Sequence, residues 1–144
     1  MDSPLVTVGI PTYNRPSGLR KTLECITKQT YLNLQIIISD NCSDNPDVLN
    51  ILREFAAADK RIIYFVQEKN ISIVPNFRFL LNNASGKYFM WAADDDEWDE
   101  NFIKTTVEVL ENNPDVVLCM TDVDFIYEDG TTKKSRLDRG FIHK

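Results

Sequence analysis

The stretch Tyr88-Phe89-Met90-Trp91-Ala92-Ala93-Asp94-Asp95-Asp96-Glu97-Trp98 carries an apolar run straight into three consecutive carboxylates. The run reads as a buried strand, and Ala84-Ser85-Gly86-Lys87 before it as the turn that launches it. Like charges a few residues apart repel, which raises carboxyl pKa values and destabilises the fold unless something positive is bound there. Oxygen ligands with no His or Cys nearby suit a hard cation, Mg²⁺ or Mn²⁺, whose remaining ligands are commonly phosphate oxygens. An acidic loop capping a helix that begins near Glu100 would also account for the triplet, because acidic side chains favour helix N-termini. The rest of the chain weighs between these readings.

The chain has 144 residues, 43% of them hydrophobic, enough for one ordinary globular domain with a core. Its net charge is −6, and the only basic cluster is Lys133-Lys134-Ser135-Arg136. Nucleic acid is therefore not the expected partner, since phosphate-backbone affinity needs clustered Lys and Arg. Acidity does not exclude a phosphate ligand, because a bound metal inverts the local sign. Met1-Asp2-Ser3-Pro4 carries no signal-peptide pattern, and no apolar run reaches the roughly 20 residues of a membrane span. The three cysteines, Cys25, Cys42 and Cys119, are odd in number and widely spaced, as expected of reduced thiols in a cytoplasmic protein. Cys25 and Cys119 fall within apolar patterns and are expected in the core. The single histidine, His143, leaves Ser-His-Asp, Cys-His and His-based metal chemistry almost nothing to work with.

Around the acidic stretch, strand and helix patterns alternate. Leu5–Ile10, Leu34–Ser39, Arg61–Val66 and Val116–Met120 read as further strands. Leu19, Leu23 and Ile26 mark a helix over Ser17–Gln29, and Val48, Ile51, Leu52 and Phe55 share one face of a second. Phe77, Leu80, Leu81 and Ala84 mark a third, starting at Pro75-Asn76; Ile103, Val107 and Leu110 stripe a fourth, stopping before Pro114. Phe125–Tyr127 and Thr131–Lys133 flank Glu128-Asp129-Gly130 as a hairpin. Continuous apolar strands alternating with helices predict an α/β fold, an open and mostly parallel sheet with helices on both faces. Ligands in such sheets bind beyond the carboxyl ends of the strands. Thr12-Tyr13-Asn14, Asp40-Asn41, Asn70 and Asp94-Asp95-Asp96 all fall at those ends.

Gly9-Ile10-Pro11-Thr12 is no G-x-G-x-x-G turn, and no G-x-x-x-x-G-K-[ST] loop exists, which removes dinucleotide-fingerprint and P-loop proteins. A phospho-acceptor receiver domain would need its acidic pair after the first strand, where neutral residues stand. Instead, Pro11-Thr12-Tyr13-Asn14-Arg15, Leu19 and Leu23, Gln29-Thr30-Tyr31, Ile36 to Ser43, Asn70 to Gly86 and the acidic triplet follow in an order and spacing that resembles family-2 (inverting, GT-A fold) nucleotide-sugar glycosyltransferases. The resemblance runs from about Leu5 to Met120 and is closest to their N-terminal, donor-binding part.

That resemblance implies a Rossmann-like GT-A nucleotide-diphospho-sugar transferase fold and a nucleotide-binding set of Pro11, Thr12, Tyr13, Asn14, Asp40, Asn70 and Asp94. Asp40 would bind the base; a carboxylate accepts the imide N–H of uracil, so a UDP-sugar is the favoured donor. With Trp98 as the anchor, the family's D-x-D element falls on Ala93, Asp94 and Asp95. Asp95 would be the direct metal ligand, Asp94 a ribose or metal contact, and Asp96 an orienting neighbour or donor-sugar contact, with Mg²⁺ or Mn²⁺ as cofactor. The cation would stabilise charge on a departing nucleoside diphosphate. The implied acceptor is a saccharide or lipid-linked glycan, in cell-surface polysaccharide biosynthesis, with the full-length protein cytoplasmic or peripheral at the inner face of the membrane.

The sequence departs from the family at three places. Ser72 stands where a glycine is usual, and Phe77-Arg78 where an arginine precedes an asparagine. The family's general base lies well beyond the D-x-D element; Asp122 and Asp124 come too early to match it, so no catalytic base is assigned and the acceptor-binding half is expected to be largely missing. A non-catalytic nucleotide-sugar-binding module is the rival reading. A sugar-1-phosphate nucleotidyltransferase would need a glycine- and arginine-rich loop after the first strand. A sheet edge left open by truncation is expected to favour a homodimer.

Overall fold

The computed structural model describes residues 3–127 and 129–135. Glu128, Arg136 and His143, which the sequence reading placed in the hairpin turn, the basic cluster and the chain's end, lie outside the described residues. The chain divides into two compact units, one ending at Lys104 and the other starting at Thr105.

The first unit alternates strand and helix: β1 (Val6–Thr12), α1 (Pro16–Thr27), β2 (Leu34–Asp40), α2 (Pro46–Ala58), β3 (Ile62–Val66), α3 (Ile73–Asn82) and β4 (Tyr88–Trp91). Helix α4 (Phe102–Asn112) begins at its end. The sheet is parallel throughout, in the order β3-β2-β1-β4. Two crossovers step from β1 out to β3, and the third steps back past β1 to β4. Because such crossovers are right-handed, α1 and α2 cover one face and α3 the other. Ser39 on β2 reaches α3, donating to Asn76 Oδ1 at 2.6 Å. Its neighbours in the pleat, Ile36 and Ile38, therefore face the α1–α2 side, where Leu19, Leu23, Ile26, Val48 and Leu52 are also fully buried. Each such aliphatic side chain contributes about 1.5–3 kcal/mol on burial.

Most predicted elements form within a few residues of their expected limits, and the differences have physical causes. Tyr88–Trp91 is half-buried, with Trp91 exposed, because among the described residues β4 pairs with β1 alone. Helix α3 starts at Ile73, before the expected Pro75-Asn76; proline is tolerated in a first helical turn, whose N–H groups lack intrahelical acceptors anyway. It ends at Asn82, so Ala84 falls outside it, and Leu81 is exposed.

In the second unit, Val116–Met120 does not form the expected strand. It has no ladder partner among the described residues, and Val117 is 95% exposed. Apolar content alone does not make a strand whose backbone groups have nothing to pair with. The hairpin does form, from β5 (Val123–Ile126) and antiparallel β6 (Thr132–Ser135), with Gly130 at φ +79° in its turn. Cys25 and Cys119 are half-buried thiols rather than core residues. No helix among the described residues is long and apolar enough to cross a membrane.

Ser72 caps α3 at φ 72°, ψ 167°, a backbone region essentially restricted to glycine, and makes no side-chain cap hydrogen bond. The residue that departs from the expected glycine thus keeps the conformation a glycine would adopt. Ser72→Gly is expected to stabilise the protein by about 1 kcal/mol, the strain relieved being about 1–3 kcal/mol less the extra chain entropy of glycine. Urea unfolding checks this; an unchanged or lower midpoint would contradict it.

Candidate functional site

Strand order reverses between β1 and β4, so the loops leaving these two strands flank the switch-point crevice. The loop after β1 carries Tyr13, Asn14 and Arg15, and the loop after β4 carries Asp94 and Asp95. They meet directly. Thr12 Oγ1 donates to Asp94 Oδ2 at 2.7 Å in a buried hydrogen bond, and the Tyr13 backbone N–H also donates to that carboxylate. Arg15 Nη1 bonds Asp95 Oδ2 and lies 3.6 Å from Asp94 Oδ1. Between the two loops lies a cavity of about 440 Å³, lined by Asn14, Arg15, Pro16, Ser17, Gly18, Asp94 and Asp95.

The first turn of α1 lines the same cavity as the carboxylates. Proline at its first position needs no acceptor, while the Ser17 and Gly18 N–H groups have none within the helix. Helix N-termini of this kind attract anions. Gly18 permits the contact with the acidic loop: a Cβ there would lie 2.1 Å from the Asp94 carbonyl oxygen. Thr22, one turn further, donates from Oγ1 to the carbonyls of Ala93 at 3.0 Å and Asp96 at 3.1 Å. Helix α1 thus holds the acidic loop by its backbone and leaves the Asp94 and Asp95 side chains to the cavity.

The loops after β1, β2 and β3 are tied to one another by amide side chains. Asn14 Oδ1 accepts from the N–H groups of Asp44 at 2.9 Å and Asn45 at 3.1 Å, and its own N–H donates to Ser43 Oγ. Ser43 Oγ donates to Asp40 Oδ1, and its N–H lies 3.1 Å from Oδ1 and 3.3 Å from Oδ2. Asp40 is 2% exposed and is the register partner of Thr12. Asn41 Nδ2 donates to Asn70 Oδ1 at 3.1 Å, while Asn41 Oδ1 accepts from Ile71 N–H. Asn14, Cys42 and Ser72 are the described non-glycine residues with positive φ, one in each of the three loops. Strained backbone collects at functional edges, where surrounding structure holds it in place.

The residues expected at the site therefore share one sheet edge but divide into groups. Thr12, Tyr13 and Asn14 lie at or beside the cavity with Asp94 and Asp95; Asp40 stands next to Thr12; Asn70 is joined to the edge through Asn41. Pro11 is buried within β1. Asp96 is separate: it is exposed, and among the described residues no three acidic, His or Cys side chains converge as a metal-binding group. The triplet does not cap α4 either. Asp99 Oδ1 accepts from Asn101 N–H at 2.8 Å just before that helix, and Gln29 Oε1 accepts from Ile103 N–H at 3.0 Å in its first turn. Arg78 is exposed on α3 and does not line the cavity.

Arg15, Gly18 and Thr22 were not singled out by the sequence reading. Arg15 stood in a quoted motif, and a cation three residues past a strand end, in a chain with an acidic loop at another strand end, is the signal that could have identified it.

Burial raises the Asp94 carboxyl above its ordinary value; the Thr12 hydroxyl and Arg15 oppose the rise, and Asp95 adds to it. Burial likewise raises Asp96, with Asp95 adding to the effect. A carboxyl with a raised folded-state pKa binds its proton more tightly in the folded protein than in the unfolded chain. Its ionisation then costs stability as pH rises from the ordinary carboxylate value through the raised one. Asp94→Asn, which keeps an acceptor for Thr12, is expected to be more stable than wild type at neutral pH. Its stability is also expected to fall less steeply with rising pH in the mildly acidic range. Urea midpoints between pH 4 and 8 test this, and a variant less stable at pH 7 would contradict it.

Residues 7–143 match the family model described as Glycosyl transferase family 2. Among relatives, the chain is 33% identical over 135 residues to an uncharacterized glycosyltransferase of Methanocaldococcus jannaschii, covering 93% of this chain and 47% of that protein. It is 32% identical over 114 residues to the glycosyltransferase GlyA of Streptococcus pneumoniae, covering 78% of this chain and 16% of that one. The chain thus spans half or less of these relatives' length. Among solved structures, the mannosyltransferase PcManGT from Pyrobaculum calidifontis, in complex with GDP-Man and Mn²⁺, superposes with a TM-score of 0.68 at 21% identity, over 74% of this chain and 32% of that one. S. aureus TarS 1-349 in complex with UDP-GlcNAc superposes with a TM-score of 0.71 at 19% identity, over 76% of this chain and 32% of that one. These likenesses bear on the fold, which is the GT-A α/β fold. A parallel sheet with this switch-point edge, together with a family match over nearly the whole chain, makes the protein a member of glycosyl transferase family 2.

Proposed function

We propose that this chain forms the donor-binding part of an inverting glycosyltransferase that uses a nucleoside diphosphate sugar, with a UDP-sugar favoured, and Mg²⁺ or Mn²⁺. The observation that carries the reading is the Asp94–Asp95 pair. It lines the switch-point cavity of a family-2 chain together with the first turn of α1, so carboxylates and anion-attracting backbone share the same space.

The donor set suits such a cation. Mg²⁺ is commonly bound through one or two protein carboxylates, with phosphate oxygens and waters completing its shell, so Asp95 with Asp94 would suffice. The bound cation would supply charge stabilisation for the departing diphosphate. The chain's own groups do the rest. The α1 N–H groups and Arg15 attract the diphosphate, and Thr12 with the Tyr13 N–H holds Asp94 in place. Asp40, oriented by Ser43, keeps lone-pair capacity for a base N–H, since a carboxylate offers about four acceptor sites. Asn14 and Asn70 hold the adjoining loops to that frame. Solved neighbours contain GDP-Man or UDP-GlcNAc, which agrees with a nucleotide-sugar donor and leaves the base to be read from Asp40. The acceptor, a saccharide or lipid-linked glycan of cell-surface polysaccharide synthesis, and the general base are assigned to no residue of this chain.

Calorimetric titration with UDP, GDP and ADP, with Mn²⁺ and with chelator, tests the reading. Mn²⁺-dependent binding that prefers UDP is expected. Asp95→Ala should weaken it by at least about tenfold, since even outer-shell partners are worth about 10–100-fold in metal affinity. Binding indifferent to both the metal and Asp95 would overturn the proposal.

A further inference from the structure

We infer that Arg15 is an internal counter-cation which holds the Asp94–Asp95 pair when no metal is bound and makes metal and nucleotide binding interdependent. The inference rests on the donor-site reading above. Arg15 bonds Asp95, lies 3.6 Å from Asp94, and lines the same cavity as the first turn of α1. Its guanidinium therefore occupies carboxylate lone pairs that a divalent cation would need, and it adds a positive charge beside the incoming one.

A cation arriving alone must break both ion pairs and meets a repelling guanidinium. A nucleoside diphosphate changes that balance. Its oxygens offer Arg15 a charge-matched, fork-shaped partner within the same cavity, which frees the carboxylates. Metal then assists nucleotide binding, and nucleotide assists metal binding by the same factor, as linkage requires. Other features fit this movement. The Arg15 side chain is 57% exposed, so it can swing without unpacking a core. Its backbone carbonyl, which accepts from Leu19 N–H at 2.9 Å, anchors α1 whatever the side chain does.

The test measures Mn²⁺ binding by the loss of the free-ion electron paramagnetic resonance signal, for wild type, Arg15→Gln and Arg15→Lys, each with and without UDP. Without UDP, Arg15→Gln should bind Mn²⁺ on the order of threefold to tenfold more tightly than wild type, the range expected for releasing exposed ion pairs. The tightening of Mn²⁺ binding by UDP should shrink in that variant. Without UDP, Arg15→Lys, which keeps the charge, should bind Mn²⁺ with an affinity close to wild type. If wild type binds Mn²⁺ with UDP but Arg15→Gln without UDP binds no more tightly, the role given to Arg15 is overturned and the donor site stands. If wild type fails to bind Mn²⁺ even with UDP, the donor-site reading falls and takes this inference with it.

Discussion

Two adjacent carboxylates at the end of a strand repel each other, and the structure around β1 and β4 is arranged to hold them together. Thr12 and the Tyr13 N–H bond Asp94 from within the sheet edge, and Arg15 pairs with both acids from the cavity side. Helix α1 clamps the loop by its backbone, through the close approach at Gly18 and the two hydrogen bonds of Thr22. Burial still leaves Asp94 with a raised pKa, so the site is held at some cost to stability. Such a cost is usual where function needs buried charge.

This constraint explains why the chain order matters. Only the reversal between β1 and β4 brings the loop after the first strand against the loop after the fourth, although Thr12 and Asp94 are 82 residues apart. The next loops extend the same edge by amide bridges, Asn14 to the β2 loop and Asn41 to Asn70. A single hydrogen-bonded rim results, with the acidic pair and Asp40 along it.

Much of this was legible in the sequence. Period-four apolar positions located α1 and α2, and continuous Ile and Val runs located β1 and β2. The acidic loop after an apolar run marked the edge that matters. What escaped depends on geometry that sequence adjacency does not carry. Val116–Met120 has a strand's composition but no ladder partner among the described residues. That Asn14 Oδ1 accepts from two backbone N–H groups of the loop after β2 could not be read from the sequence. Arg15 gained its role only when folding set it opposite residues 80 positions away. Ser72 shows the converse: a substitution that looked like a lost feature keeps the backbone shape expected of glycine.

The central claim is that nucleotide and metal meet at the loops after β1 and β4. Paramagnetic broadening of backbone amide signals by substoichiometric Mn²⁺, in the presence of UDP, tests it most directly. The account predicts that residues 12–18 and 93–96 broaden first, while residues 59–62, at the opposite edge of the same sheet where β3 begins, stay sharp. Broadening spread over other acidic positions such as Glu54, Asp59 or Asp129, with the β1 and β4 loops unaffected, would contradict it.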